Sequence, residues 1–391
     1  MGPEQIVNLG DLQRRAKRRI PRVVYDFIEG GVDDEDGLDR NEDAFRAIPL
    51  VPRYMVDVRE RNQRTELFGR EYSSPIGIAP TGGVGNYRRG GDLMLAEAAR
   101  QQNVPFIMSG AATASMVDLA RVAPDHSWYQ VYIANDREIT YDMVRRVDEL
   151  GFPVLVVTVD VPSRVNRERN RRNGFGRPLR LSLSSKLNAL KHPLWLSDYL
   201  RHGVAPMPNW APYVSGHPSN DEVVAFVAEQ MPTPVLWEDL QKIRELWPRK
   251  LVVKGIMRVD DALRLADAGV DGIMVSNHGA RQLDRAPSPL AVLPAIVDAV
   301  GDRMTVLFDG GIRRGADVFT ALCLGAEFVF VGRPTLYGVV ADGVAGGVKA
   351  LSILRDELDL IMCQVGCPDV SEAGRDFVEW DPDALKRNTR T

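Results

Sequence analysis

The sequence predicts an α/β fold, a (β/α)8 TIM barrel with an N-terminal helical lead and an insertion after strand 4. Three observations carry that reading. Eight short apolar runs recur along the 391-residue chain, stretches of helical period separate them, and their starts keep a nearly regular beat. The runs are PIGIA (75–79), VPFIM (104–108), WYQVYI (128–133), PVLVVTV (153–159), KLVVK (250–254), DGIMVS (271–276), MTVLF (304–308) and EFVFV (327–331). Most are apolar throughout rather than alternating, the pattern of parallel strands covered by helices. Their starts lie 29, 24, 25, 97, 21, 33 and 23 residues apart, so only one interval departs from the length of a βα unit. A doubly wound open sheet is the alternative. It would carry a glycine fingerprint after the first strand, and GGVG (82–85) lacks the G-x-G-x-x-G spacing.

The elements follow in order. In the lead, Pro21 stands at a helix start, Val24, Phe27 and Ile28 form one face, and Gly30-Gly31 ends the helix. The barrel then takes residues from about 75 to 340. Leu93, Leu95, Ala96, Ala98 and Ala99 place a helix before the second run; Ala262, Leu263, Leu265 and Ala266 place one between the fifth and sixth; Val318, Phe319, Ala321 and Leu322 place one before the eighth. The 97-residue interval holds an insertion at about 176–235. Its first part, 176–218, has Arg177, Arg180, Lys186, Lys191 and Arg201 against Asp198 alone, a balance of +4 in a chain of net −4. It also holds Trp195, Trp210 and eight leucines, a composition suited either to a membrane surface or to a lid with an apolar underside. After the eighth run, Leu351, Leu354, Leu358, Ile361, Met362 and Val365 recur at three and four, and Gly366-Cys367-Pro368 stops that helix. The tail from Ser371 has no period and is expected to be loosely held.

Composition narrows the class of function. With 45% hydrophobic and 26% charged residues the chain is not disordered, and 49 Lys+Arg against 53 Asp+Glu leaves no basic surplus for nucleic acid. Three cysteines make no disulfide framework, and Cys363 and Cys367 lack a second Cys or His pair for zinc, so no metal is expected. The N-terminal stretch has no apolar core for a signal peptide, and no run approaches a membrane span, so the expectation is a cytoplasmic protein.

In such barrels chemistry sits at the C-terminal ends of the strands. Reading the residues there gives Pro80-Thr81, Ser109, Gln130 and Tyr132, Thr158 and Asp160, Lys254, Ser276-Asn277-His278, Asp309-Gly310-Gly311 and Gly332-Arg333. Nearly every apolar strand ends in polar or ionisable residues. DGGIRRG (309–315) and GR (332–333) follow strands seven and eight, the usual phosphate loops, where glycines admit phosphate oxygens to backbone N–H groups and arginines add charge. Of the five histidines, His126, His192, His202 and His217 read as solvated. Only His278 lies at a strand end, with Arg281 three residues on and Asp160 available to orient it, so it reads as a general base. Lys254 reads either as a Schiff-base lysine or as a lysine facing the electron-poor edge of a cofactor ring. RVNRERNRR (164–172) reads as a solvated helix start with one functional arginine rather than a nucleic-acid patch.

Together these residues resemble the FMN-dependent 2-hydroxy-acid oxidase and dehydrogenase family. The shared pieces are VYDFIEGG (24–31), APTG (79–82), WYQVYI, TVDVP (158–162), NRERN (166–170), VKGI (253–256), SNHGARQLD (276–284), DGGIRRG and GRPTLYG (332–338), over nearly the whole chain outside the insertion. The texture is nearest to the mandelate dehydrogenases. The resemblance implies oxidation of an (S)-2-hydroxy acid, mandelate- or lactate-like, to the 2-oxo acid, with FMN as cofactor and oxygen or a quinone as electron acceptor. It implies that Ala79, Pro80, Thr81, Ser109, Gln130, Thr158, Lys254, Ser276, Asp309, Gly311, Arg313, Gly332 and Arg333 hold FMN, the last five or so at its phosphate end, with Ala79 near N5 and Lys254 at the N1–O2 edge. Tyr25, Tyr132, Arg167, His278 and Arg281 would form the substrate site, with His278 backed by Asp160 as the base. A homotetramer is implied too. If 176–218 touches membrane, the enzyme is peripheral on the inner face of the plasma membrane. Ala280 departs from the family's usual glycine and is expected to shift Arg281 or narrow the pocket. Two rival readings remain at this level: the same flavin barrel acting on an amine or peptide-derived carboxylated substrate, and a non-enzymatic flavin-binding protein.

Overall fold

Parallel strands form where the apolar runs lie. In a computed structural model describing residues 5–174 and 182–381, the strands are β1 (Ile76–Ile78), β2 (Phe106–Met108), β3 (Ser127–Val131), β4 (Val154–Thr158), β5 (Lys250–Ile256), β6 (Gly272–Val275), β7 (Thr305–Asp309) and β8 (Phe328–Val331). Each pairs in parallel with the next, and β8 closes on β1 with Val329 opposite Ile76, giving an eight-stranded barrel. Successive side chains point to opposite faces. Ile107, Trp128, Val154, Val156, Val252, Met274, Leu307, Phe328 and Phe330 fill the barrel, while their neighbours pack against the helices outside. A short hairpin, Thr65–Leu67 with Arg70–Tyr72, closes the bottom: Phe68 lies 5.7 Å from Trp128 and Tyr72 5.8 Å from Phe328, ring to ring. The bottom is therefore packed with aromatic rings, and the C-terminal mouth is where a ligand can enter.

The helices, in chain order, begin with the lead: α1 (Leu9–Arg19), α2 (Arg22–Glu29) and α3 (Asp36–Arg46). Asn8 and Asp11 form a capping box on α1, and Pro21 precedes α2, which ends at Gly30. Around the barrel follow α4 (Gly91–Gln102), α5 (Met116–Val122) and α6 (Arg137–Glu149). After β4 come α7 (Glu168–Asn173), α8 (Leu183–Ala189), α9 (Pro193–His202) and α10 (Asn220–Gln230), and then α11 (Trp237–Leu246) returns the chain to β5. The expected insertion after strand 4 is thus present; Arg177 and Arg180 lie outside the described residues. The barrel completes with α12 (Val259–Asp267), α13 (Pro289–Val300), α14 (Gly315–Cys323) and α15 (Arg333–Val365).

By length and apolarity α15 is the one helix among the described residues that could cross a bilayer. It is instead a packed core helix, buried against α1, α4 and α14. It breaks at Asp342 and Gly343, where Arg15 of α1 pairs with Asp342 at 2.8 Å and Arg19 donates to the Ala341 carbonyl. The sequence expectation for the tail needs correction. Phe377 and Val378 are buried, Val51 donates to the Phe377 carbonyl, and Leu50 bridges Val378, so the chain stays docked to at least Val378. A single apolar pair suffices to anchor a segment that has no period. His126 also departs from expectation: it is buried, with Asn103 and Arg70 at its Nε2.

The break in α15 depends on backbone contact between Gly338 and Gly346. A Cβ on Gly346 would stand 1.9 Å from the Gly338 carbonyl oxygen. Gly346→Ala is therefore expected to destabilise the fold by about 1–3 kcal/mol, the usual range for overpacking, as a lower midpoint in urea denaturation.

Candidate active site

Alternation along the strands carries past the core layer. The next inward positions after Gly77, Ile107, Trp128, Val156, Val252, Met274, Leu307 and Phe330 are Ala79, Ser109, Gln130, Thr158, Lys254, Ser276, Asp309 and Gly332. All eight were assigned to the cofactor from sequence, and they form one ring at the barrel mouth. Six carry polar side chains, and all six are buried. Lys254 is only 3% exposed; its ammonium lies 2.9 Å from Asp309 and 2.5 Å from Ser276 Oγ. Burial works against that charge, but Asp309 and Asp160 outweigh it, and the pKa is raised above the ordinary lysine value. Lys254 is therefore a permanent cation, not the neutral amine a Schiff base requires.

Several ring atoms are buried without a partner: Gln130 Nε2, Thr158 Oγ1 and Asp309 Oδ1, joined by Thr81 Oγ1 just above. Gln130 Oε1 is already engaged by Ser109 Oγ and the Gly110 N–H, which leaves its amide as a free donor. Such orphans cost on the order of 1–3 kcal/mol each unless a ligand satisfies them. A planar heteroaromatic ring with alternating donors and acceptors, such as the flavin of FMN, matches that need.

The phosphate end fits as well. Gly310, Gly311, Arg313, Gly332 and Arg333 line one cavity of about 760 Å³ together with Lys254 and Asp309. Gly311 has φ +84°, and a Cβ there would stand 2.5 Å from the Asn41 carbonyl oxygen, so only glycine fits. The N-terminus of α15 opens at Gly332-Arg333, adding its partial positive charge. Arg313 pairs with Glu42 at 3.2 Å. Arg333 instead donates to the carbonyls of Ile28, Gly30 and Gly279.

The second tier stands two residues further along the strands. His278 Nδ1 meets Asp160 Oδ1 at 2.9 Å, which leaves Nε2 as the ring nitrogen free to exchange a proton. Burial raises the Asp160 pKa, but the charges of His278 and Lys254 and the bond to His278 more than reverse this, so the carboxyl sits below its ordinary range and is ionised. Gly255, at φ +105° in an irregularity of β5, makes room for it: a Cβ there would stand 2.6 Å from Asp160 Cβ. His278, Gly279 and Ala280 have φ of 59°, 62° and 59°, three left-handed residues in a row. That conformation costs roughly 1–2 kcal/mol for each non-glycine residue. Tyr132 lines the cavity, and burial followed by the Asp160 charge holds its phenol well above the ordinary range, so it remains a hydrogen-bond donor.

Two guanidiniums complete the arrangement. Arg281 lies 5.1 Å and Arg167 5.7 Å from the centroid of the Phe27 ring, and Arg167 donates to the Arg281 carbonyl. Here the sequence assignment of Tyr25 needs correction. Tyr25 does not line this cavity; it lines a second one with Gln13, Lys17 and Glu29, while Phe27 faces the arginines. Residues two apart on a helix point about 200° apart, so α2 cannot present both. The Val24, Phe27, Ile28 face seen in the sequence already carried that signal. Tyr87, 5.9 Å from Phe27, was also missed, because it lies beyond the strand ends in the loop after β1. Of the two expectations for Ala280, a narrowed pocket is corrected too. Gly37 of α3 is its close neighbour, at 3.0 Å from Ala280 Cβ to a Cβ built on Gly37, and Ala280 does not line the cavity, so its methyl packs toward the lead.

The insertion supplies the outer wall. Trp195 and Tyr199 stack at 5.2 Å and line the cavity, and Trp195 Nε1 is anchored to the Asn86 carbonyl. On the outer surface of the same segment Leu183, Leu194 and Leu200 are 75%, 66% and 74% exposed. The cavity wall and the exposed leucines are two sides of one segment.

The profile of the FMN-dependent dehydrogenase family matches residues 16–380. The chain is 40% identical over 377 residues to (S)-mandelate dehydrogenase of Pseudomonas putida, covering 96% of this chain and 94% of that protein. It is 35% identical to a peroxisomal (S)-2-hydroxyacid oxidase of Arabidopsis thaliana, covering 98% and 99%. A crystal structure described as that of the monotopic membrane protein (S)-mandelate dehydrogenase superposes with a TM-score of 0.93 at 39% identity, covering 97% of this chain and 100% of the other.

Neither Arg281 nor Arg333 forms an ion pair with a carboxylate among the described residues. Burial, with Arg167 next, pulls Arg281 down to about 9, and burial with Arg281 and Arg313 pulls Arg333 down to about 10. A carboxylate bound against Arg281 would raise its pKa again, so such binding would take up protons and weaken as pH rises through 9. The Kd of oxalate, measured by calorimetry, is expected to be about fourfold weaker at pH 9.5 than at pH 7; a flat profile would contradict that coupling.

Proposed function

The chain belongs to the family of FMN-dependent dehydrogenases and is an FMN-dependent 2-hydroxy-acid oxidoreductase, and on that premise we propose that it oxidises an (S)-2-hydroxy acid with an aromatic side chain, mandelate-like, to the 2-oxo acid. The observation that carries this is the pair Arg167 and Arg281 around Phe27, beside His278 and Asp160, in a cavity walled by Tyr87, Trp195 and Tyr199. A 2-hydroxy acid needs an anion clamp, a base and a two-electron acceptor. FMN, when bound, supplies that acceptor.

The chain's own residues supply the rest. Arg281 and Arg167 bind the substrate carboxylate, and both guanidiniums lie against the ring of Phe27. Tyr132 donates toward the 2-hydroxyl. His278 Nε2 takes one of the two protons that the oxidation releases, and ionised Asp160 holds the imidazole in place and stabilises its cation. Gln130, Thr158, Ser276 and Ala79 hold the ring from the barrel mouth, with Lys254 as a fixed positive charge. Arg313, Arg333, Gly311 and Gly332 hold the phosphate.

The aromatic walls favour an aryl substrate over a methyl one. Anaerobic bleaching of the flavin is expected with both (S)-mandelate and L-lactate, with kcat/KM on the order of 10–100-fold higher for mandelate. Equal or reversed preference would remove the aryl assignment, and no bleaching by either would remove the 2-hydroxy-acid reading for this site.

A quinone is the proposed acceptor, reached by peripheral membrane contact through 176–218. The exposed leucines of α8 and α9, with Lys186, Lys191 and Arg201 among them, support this, as does the monotopic membrane character of the similar mandelate dehydrogenase. The protein is expected to float with anionic vesicles, and Leu194→Glu/Leu200→Glu to stay in the dense fraction with unchanged mandelate bleaching. Flotation of both alike would discard this contact.

A further inference from the structure

His278 sits on a left-handed turn that a single backbone bond closes, from the Ala280 N–H to the Asn277 carbonyl at 3.1 Å, and that side chains reinforce. Ser276 Oγ accepts the His278 N–H at 3.0 Å, and Asn277 Oδ1 accepts the Ala280 N–H at 3.1 Å, so the two side chains just before the turn brace its backbone. Asn277 is in turn fixed from outside the barrel. Its amide and that of Asn41, on α3, form a reciprocal pair: Asn41 Nδ2 donates to Asn277 Oδ1 at 2.9 Å, and Asn277 Nδ2 donates to Asn41 Oδ1 at 2.8 Å. Both side chains are buried. Asn277 Nδ2 also reaches the Pro287 carbonyl. The Asn41 backbone presses on Gly311, so one residue of the lead touches both the base-bearing turn and the phosphate loop.

We propose that Asn41 is a positioning residue for catalysis: through Asn277 it holds the turn that aims His278. This rests on the reading of His278 as the base. The hydrogen-bond supply supports it. Asn277 Oδ1 takes two donors, Asn41 and Ala280, and without Asn41 only the Pro287 carbonyl restrains the amide, so the side-chain brace on the costly left-handed turn loosens. Arg281 is anchored separately, to the Ile28 and Gly30 carbonyls at 3.3 and 2.8 Å. Loss of Asn41 should therefore disturb the base more than the carboxylate clamp, and that asymmetry separates positioning from general packing. A control sits one residue away: Arg40 also ties α3 to this loop, at the Asp284 and Ala286 carbonyls, without touching Asn277.

The test uses the FMN-loaded full chain. Asn41→Ala is expected to lower kcat on (S)-mandelate by tenfold to a hundredfold, on the order of what small misplacements of a catalytic group cost. KM, oxalate affinity and flavin content should stay within about threefold, and the α-deuterium isotope effect on kcat should rise as C–H cleavage becomes limiting. Asn41→Asp, of the same size, keeps the accepted bond and turns the donated one into a repulsive contact between a carboxylate oxygen and Asn277 Oδ1; it should fold where Asn41→Ala does not and is expected to show the same loss of kcat. Asn41→Ala/Asn277→Ala should be no slower than the slower single variant, because the pair acts as a unit. Arg40→Ala should lower the melting temperature and leave kcat within twofold. In substrate-free enzyme labelled with 15N-histidine, the ring resonances of His278 should move in Asn41→Ala and Asn41→Asp and not in Arg40→Ala. The proposal is overturned if both Asn41 variants keep kcat and the His278 resonances of the unaltered enzyme, or if Arg40→Ala reproduces their loss. Failure of the unaltered enzyme to oxidise any 2-hydroxy acid would instead remove the function assigned above, and the histidine resonances would still decide the positioning.

Discussion

Closure of eight parallel strands is the constraint on which the rest depends. Once β8 pairs with β1, every strand must send alternate residues inward, and the hairpin leaves only one end of the interior for a ligand. The ring from Ala79 to Gly332 follows by counting two residues past the core layer on each strand. Eight positions from eight distant parts of the chain meet because the barrel closes. An open sheet with the same sequence pattern would scatter them along an edge.

The mouth thereby gathers charges that water would normally keep apart, and the structure settles them in different ways. Lys254 and Asp309 neutralise one another, and His278 and Asp160 form a second pair. Arg281 and Arg333 have no such partner and rest on the carbonyls at the end of α2, where the helix dipole is negative. Carbonyls compensate a buried guanidinium only partly. Two incompletely neutralised cations, side by side on the Ile28 and Gly30 carbonyls, make this wall of the cavity suited to anions. The lead is thus more than packing: α2 lends carbonyls and Phe27, and α3 lends Asn41.

The insertion shows how one segment serves two surfaces. Its Trp195 and Tyr199 complete the cavity wall, while leucines of the same helices stay in solvent. Lid and membrane surface were alternatives for the sequence because composition does not record direction. A helix over a cavity has an underside and an outer side; here aromatic rings face the cavity, and leucines interspersed with basic residues face solvent.

What the sequence by itself determined is the barrel, its eight strands, the place of the insertion and the identity of the polar strand ends, because those are local patterns: short unbroken apolar runs, period 3.6 and glycine. The motif SNHGARQLD brought His278 and Arg281 into view, and TVDVP brought Asp160, without any coordinates. The tertiary structure alone decided that Phe27 and not Tyr25 faces the arginines, that the Ala280 methyl turns toward α3, that His126 and the stretch to Val378 are buried, and that Asn41 reaches Asn277. Each of these depends on which way a side chain points from an element docked against a distant one. That direction is set by packing between separate segments, 23 residues apart for His126 and Asn103 and 236 for Asn41 and Asn277, and no local pattern encodes it.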